Sequence, residues 1–165
     1  MNSIKGKLDK SDYENYDDFL NYQIDGYWLD EKLEELYPGN MYQGTVPTLL
    51  FALEAEEERE VVWNRIFPKV GKITVCPILM CPDDLDFSCT LIDVEIENTG
   101  KTIKWNKMGI DNTEAVEVEK IGSKVGWFDK VKPLEFKLEE YENMLNEFRK
   151  HFELEKKAFE EINRI

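Results

Sequence analysis

Residues 73–97 read ITVCPILMCPDDLDFSCTLIDVEIE, two apolar runs of β type separated by an acidic, proline-marked connection. In Ile73–Met80 apolar side chains occupy both alternating sets, Ile73, Val75 and Leu79 against Cys76, Ile78 and Met80. That is the pattern of a strand buried on both sides. Pro77 has no amide hydrogen to give a ladder, so an edge or a bulge is expected there. Thr90–Glu97 alternates differently: Leu91, Asp93 and Glu95 face one way, and Ile92, Val94 and Ile96 the other, as in a half-buried antiparallel strand. Asn98-Thr99-Gly100-Lys101 then supplies a hairpin turn in which Gly100 is free to take positive φ. Thr102–Met108, carrying Ile103 and Trp105, is the partner strand. An antiparallel meander of at least three strands follows from this region alone.

The flanks read mainly as helix. Residues 1–10 are polar and are expected to fray. From Ser11 onward Tyr13, Tyr16, Leu20 and Gln23–Ile24 recur at helical intervals, with Ser11 and Glu14 at capping-box spacing, so a short amphipathic helix ending at Gly26 is predicted. Asp30 precedes a second helix, Glu31–Tyr37, closed by Pro38-Gly39-Asn40. Residues 41–47 form a loop, extended before Pro47. A helix over 48–66 is marked by Leu49, Leu50, Leu53, Val61, Val62 and Ile66, and Pro68 stops it. One more short strand fits Ala115–Ile121, followed by a loop punctuated by Gly122, Gly126 and Pro133. Leu138, Tyr141, Leu145, Phe148, Phe152, Phe159 and Ile162 mark a long C-terminal helix, whose stripe is clean as far as Phe152. The predicted fold is α+β: one domain over 1–165, with a meander of three to five antiparallel strands packed with N-terminal helices and a long C-terminal helix.

Composition narrows the function classes. The chain has 165 residues, enough for one core, and twenty aromatics argue against disorder. Thirty-five acids against 21 bases leave a net charge of −14. A field of that sign repels phosphate backbones and anionic membranes, so neither nucleic acid nor membrane is an expected partner. It attracts a basic protein or a metal cation. The polar start MNSIKGKLDK carries no signal-peptide core, no apolar run is long enough to span a bilayer, and three cysteines cannot all pair. A cytoplasmic protein with reduced thiols is expected.

Candidate chemistry is sparse. Cys76-x4-Cys81-x7-Cys89 lacks the close pairing and fourth ligand of structural zinc, and the one histidine, His151, lies mid-helix. Cys76 and Cys89 read as small buried side chains on neighbouring strands, and no metal site or cofactor is expected. Asp83, Asp84 and Asp86 form an acidic turn that could contact a partner or hold Mg²⁺ or Ca²⁺ through oxygen. Its Asp84-x-Asp86 spacing resembles the aspartate pair of haloacid-dehalogenase-type phosphatases. That family places the pair directly at a strand end in a parallel βα sheet, a condition not met here. The run EAEEERE over 54–60, with Glu56, Glu57 and Glu58 at its centre, is either a solvated helix face or a patch for a basic surface. There is no Gly-rich phosphate loop, no Gly-x-Ser-x-Gly and no His-Glu-x-x-His, so no catalytic residue is nominated.

The elements WNRI at 63–66, CPILMCPDDLDFSCTLIDVEI at 76–96 and IKWNKMGID at 103–111, set in an acidic α+β chain, resemble the small bacterial immunity proteins that neutralise polymorphic or contact-dependent toxins. The likeness extends over roughly residues 60–150. It implies a cytoplasmic inhibitor, monomeric or weakly dimeric, that covers the active site or substrate cleft of one cognate toxin, often a nuclease. The residues expected at such an interface are Asp83, Asp84, Asp86, Glu56, Glu57, Glu58, Tyr13 and Tyr16. Two alternatives are a divalent-metal enzyme using the Asp83-Asp84-Leu85-Asp86 turn, and a regulatory adaptor docking through the C-terminal helix.

Overall fold

The computed structural model describes residues 1–9, 18–114 and 117–163. Among these, two antiparallel sheets and three α-helices build a mixed α+β architecture. The larger sheet grows from β5 (Ile73–Met80), β6 (Leu91–Asn98) and β7 (Thr102–Asp111), the expected meander. On its β5 side it is extended by β4 (Val46–Pro47). Along β7 two short strands share one edge, β8 (Val125–Trp127) at one end and β9 (Leu134–Lys137) at the other. The smaller sheet comprises β1 (Ile4–Asp9), β2 (Phe19–Ile24) and β3 (Tyr27–Trp28).

The local chemistry of the meander is as its residues dictate. The β5–β6 register skips between Pro77 and Leu79, because Pro77 interrupts the ladder and a bulge absorbs the missing donor. At the β6–β7 turn Gly100 has φ +89° and its amide donates to Asn98 Oδ1 (2.8 Å). The side chains of Ile96 and Trp105, register partners across a second irregularity, share one face. Trp105 meets Tyr22, Phe136 and Tyr141 edge-on with centroids 5.3–6.2 Å apart, an arrangement that suits ring quadrupoles. Its indole N–H donates to Tyr141 Oη, and Tyr141 Oη donates to the Ile66 carbonyl (2.7 Å). These bonds tie the C-terminal helix α3 (Leu138–Ile162) and the end of α2 (Glu56–Arg65) to the sheet. Tyr141, Met144, Leu145 and Phe148 form the buried stripe of α3. Leu154, Phe159 and Ile162 in its last turns are exposed.

Four expectations require correction. Of residues 1–10, Ile4–Asp9 do not fray but pair along β2, with Ile4 buried, and Lys10 lies outside the described residues. The helix predicted from Ser11 to Ile24 does not exist over its second half. Phe19–Ile24 is strand β2, buried at nearly every position, and Ser11, Tyr13 and Tyr16 lie outside the described residues. The predicted 48–66 helix begins only at Glu56. Before it, the Thr48 amide donates to the Ile78 carbonyl and its hydroxyl to the Pro77 carbonyl (2.7 Å), which hold the chain against β5 while Leu49, Leu50 and Leu53 bury in turns. The strand expected at 115–121 is, in its described part, a short 3-10 turn at Val118–Lys120. The second helix, α1, spans Leu29–Leu36 close to its predicted place.

Candidate functional site

Two acidic stretches that are distant in sequence meet at one cleft. The first turn of α2 carries Glu56, Glu57 and Glu58, where carboxylates favour the positive end of the helix dipole. The β5–β6 loop returns beside it: the Phe87 amide donates to Glu58 Oε2 (3.3 Å). Desolvation pushes the Glu58 carboxyl up, the Phe87 bond opposes this, and the nearby Asp86 charge adds to it. The opposite wall is the segment 117–121. Together Ala55, Glu56–Glu58, Phe87, Ser88, Thr113, Glu117, Val118, Glu119 and Ile121 line a cleft of about 970 Å³. It holds five glutamates and no cation among its described lining residues.

Why the first wall of the cleft stays negative can be read from Arg59, the cation next to its glutamates in sequence. Arg59 follows the glutamates directly, yet its guanidinium turns away. It donates to the carbonyls of Phe51 and Leu53 and lies 4.6 Å and 5.2 Å from the ring centroids of Phe51 and Phe152. Burial lowers its pKa and the charges of Glu54 and Glu56 raise it. None of the five cleft glutamates makes an ion pair among the described residues. Unpaired carboxylates lining an open cleft, rather than a salt-bridged surface, are what remain.

The far wall is held by a clamp. Arg65, in the last turn of α2, donates to the Val75 carbonyl (3.2 Å), the Ile121 carbonyl (2.6 Å) and the Glu119 carbonyl (2.8 Å). Asp111, at the end of β7, accepts from the Gly122 amide (2.9 Å) through one oxygen and from Thr113 (2.8 Å) through the other. Gly122 sits at φ +85°, and a Cβ there would lie 3.0 Å from Val75. The wall therefore depends on glycine for both its conformation and its fit.

Beneath this clamp lies Asp93, fully buried on β6 opposite Pro77 on one side and Gly109 on the other. Alternation assigned it to a face shared with Leu91 and the half-buried Glu95, and β8 runs close along the far edge of the neighbouring β7. A Cβ on Gly109 would stand 2.4 Å from the Gly126 carbonyl oxygen. Neither Asp93 oxygen has a donor among the described residues. What it faces is the Asp111 carboxyl, with Arg65 as the nearby positive charge. Two carboxyls can bond only if one carries a proton. Asp111 already accepts two backbone N–H bonds, so the proton belongs on Asp93. Desolvation foremost, and Asp111 second, push the Asp93 pKa up to about 9. A carboxyl held up in this way stays protonated near pH 7, beside the group that holds the cleft wall.

The remaining nominated residues are placed as follows. Asp83 and Asp84 are exposed on the β5–β6 loop, and Asp86 is half-buried, accepting from the Ser88 amide and hydroxyl (2.8 and 2.5 Å). Tyr13 and Tyr16 lie outside the described residues. His151 Nε2 lies 2.8 Å from Glu155 on its own helix. Cys76 is buried with its thiol directed at the Val62 carbonyl, and burial pushes its pKa well up. Cys89 is not the buried strand residue that was expected. It is exposed at the end of the loop, with Cys81 and Asp84 beside it. The Glu117–Glu119 wall, Arg65, Asp93 and Asp111 were not singled out from the sequence.

Among the described residues no helix is long and apolar enough to cross a membrane. No family model matches the chain, and neither does any curated protein or solved structure with which it was compared.

Proposed function

We propose that this chain is an inhibitory binding protein of the immunity type, which neutralises a basic cognate toxin by covering its active site or substrate cleft. The observation that carries the reading is the cleft of five unpaired glutamates between the start of α2 and the 117–121 wall. Phe87, Val118, Ile121 and Ala55 interleave with those carboxylates. Such a lining suits Lys and Arg, whose alkyl stems need apolar surface while their heads need charge. A cleft of this size takes one or a few side chains of a protruding loop rather than a whole domain. The exposed Asp83 and Asp84 extend the negative field past the cleft rim. A toxin that acts on nucleic acid presents cations where its substrate binds, so an acidic inhibitor both finds it quickly and competes with the substrate.

The clamp beneath the wall supports the same reading. Binding gains most when the surface is already in its bound shape. Arg65 bonds the Glu119 and Ile121 carbonyls and Asp111 the Gly122 amide, so the wall is fixed within the fold. The test is to measure association of the cognate protein with the native chain and with a Glu57→Lys, Glu119→Lys variant across a salt series. The expected result is a fall in affinity of at least about tenfold for the variant, mostly in the association rate and shrinking as salt rises. Equal association for both proteins at low salt would remove the cleft from the interface.

A further inference from the structure

The β5–β6 loop brings together a donor set that its sequence spacing conceals. Cys81 directly follows β5 and Cys89 comes two residues before β6 begins. Met80 pairs with Leu91 in the ladder, and the Cys81 amide donates to the Thr90 carbonyl (3.1 Å), so the loop is closed at its base. Both sulfurs therefore sit at the same mouth. Asp84 folds back between them: the Leu85 amide bonds to the Cys81 carbonyl (3.0 Å), and Leu85 is partly buried against the core. The two Sγ atoms and an Asp84 carboxylate oxygen all lie within 4.8 Å of one another. The Cys89 thiol interacts with the Cys81 thiol foremost and with the Asp84 carboxylate as well, and these contacts raise its pKa. Cys89 and Asp84 are exposed and Cys81 is partly so, which leaves an open approach.

We propose that Cys81, Asp84 and Cys89 form a binding site for a thiophilic divalent cation, with zinc as the best match. Two soft thiolates outweigh one hard carboxylate, which zinc also accepts, so the set favours zinc over the oxygen-seeking Mg²⁺ and Ca²⁺. Zinc–sulfur bonds of about 2.3 Å in a tetrahedron set two sulfurs about 3.8 Å apart. Small rotations of exposed side chains bring the present cluster to that spacing. The fourth position is left to water, or to a donor from a bound partner. On binding, each thiol gives up its proton and forms one sulfur–metal bond, so two protons are released per ion and affinity rises with pH. The acidic turn that an oxygen-only reading of Asp83, Asp84 and Asp86 would assign to Mg²⁺ is thereby assigned to a different metal and a different donor set.

The test uses the reduced full-length protein, with Co²⁺ as a spectroscopic probe and Zn²⁺ in calorimetric titrations. One Co²⁺ per chain is expected, with a sulfur-to-metal charge-transfer band and the visible bands of a tetrahedral site, both displaced by Zn²⁺. Calorimetry in buffers of different ionisation enthalpy should report about two protons released per zinc. Cys81→Ser and Cys89→Ser should each abolish the charge-transfer band or weaken it severely, and Asp84→Asn should weaken zinc by at least about tenfold. Glu147→Gln, which removes an exposed charge on α3, should change nothing. Absence of the band at saturating Co²⁺ would overturn the proposal. So would zinc binding that survives the Cys81→Ser, Cys89→Ser double variant, because that ion would be held by surface carboxylates. Circular dichroism of each variant separates lost ligands from lost fold.

Discussion

Asp93→Asn is the substitution that most sharply separates a buried acid from an ordinary surface aspartate. In the folded chain the Asp93 pKa is pushed up to about 9, whereas the unfolded chain returns it to the ordinary 3.8. Between those values the folded state holds one more proton than the unfolded state, so stability must fall as pH rises, by about 1.4 kcal/mol per unit. The effect is absent below about pH 4, where both states are protonated, and complete above about pH 9. Asparagine retains a donor for the Asp111 carboxylate and cannot ionise, so it removes the slope while keeping the contact. From pH 5 to pH 8 the native chain should therefore lose roughly 4 kcal/mol relative to Asp93→Asn, a large share of a typical domain's 5–15 kcal/mol. Urea unfolding followed by tryptophan fluorescence, run on both proteins at each pH, gives that difference free of the repulsion common to both. Parallel stability–pH curves, differing by less than about 1 kcal/mol across the range, would refute a neutral Asp93.

Other substitutions probe the wall and the core. Arg65→Gln removes charge-assisted bonds to three carbonyls and should cost about 2–3 kcal/mol, with faster amide hydrogen exchange concentrated at 117–123; unchanged exchange there would mean that Arg65 is not the clamp. Gly122→Ala forces a non-glycine residue to φ +85° against Val75 and should lower stability by about 1–3 kcal/mol in chemical unfolding. Tyr22→Phe should be neutral or stabilising by up to about 1 kcal/mol, because the buried Tyr22 hydroxyl has no partner among the described residues. A clear loss of stability in that variant would show that the hydroxyl is satisfied.

The meander was legible because its cues are local. Alternation in Leu91–Glu97, a glycine turn at Gly100 and a proline that forbids a ladder bond each act within a few residues. β2 was misread for a physical reason as well. Phe19–Ile24 is buried on both faces, so alternation vanished, while Tyr16, Leu20 and Ile24 happened to fall at helical spacing. Half of the cleft was visible as the charge run at Glu56–Glu58. Its other wall was not, since the segment is held there by Arg65 through the Glu119 and Ile121 carbonyls, contacts 54 and 56 residues long in sequence. Asp93 was placed on one face with Leu91 and Glu95, and its burial was missed because alternation gives a face but not what covers it. The thiol pair could have been sought from the hairpin itself: once Met80 and Leu91 are taken as partners, Cys81 lies one residue inside Met80 and Cys89 two inside Leu91, so both fall at the same end of the loop.

The measurement that bears most directly on the inhibitor reading is a paired affinity capture. The native chain and its Glu57→Lys, Glu119→Lys variant are immobilised side by side, a lysate of the protein's own source is applied, and retained proteins are eluted with rising salt. The account predicts one stoichiometric basic protein on the native column, depleted on the variant column. Its toxic activity should be suppressed by the native chain and not by the variant. A basic partner retained equally by both columns, or inhibited equally by both proteins, would contradict the assignment of the cleft. A native column that retains no basic protein would contradict the function itself.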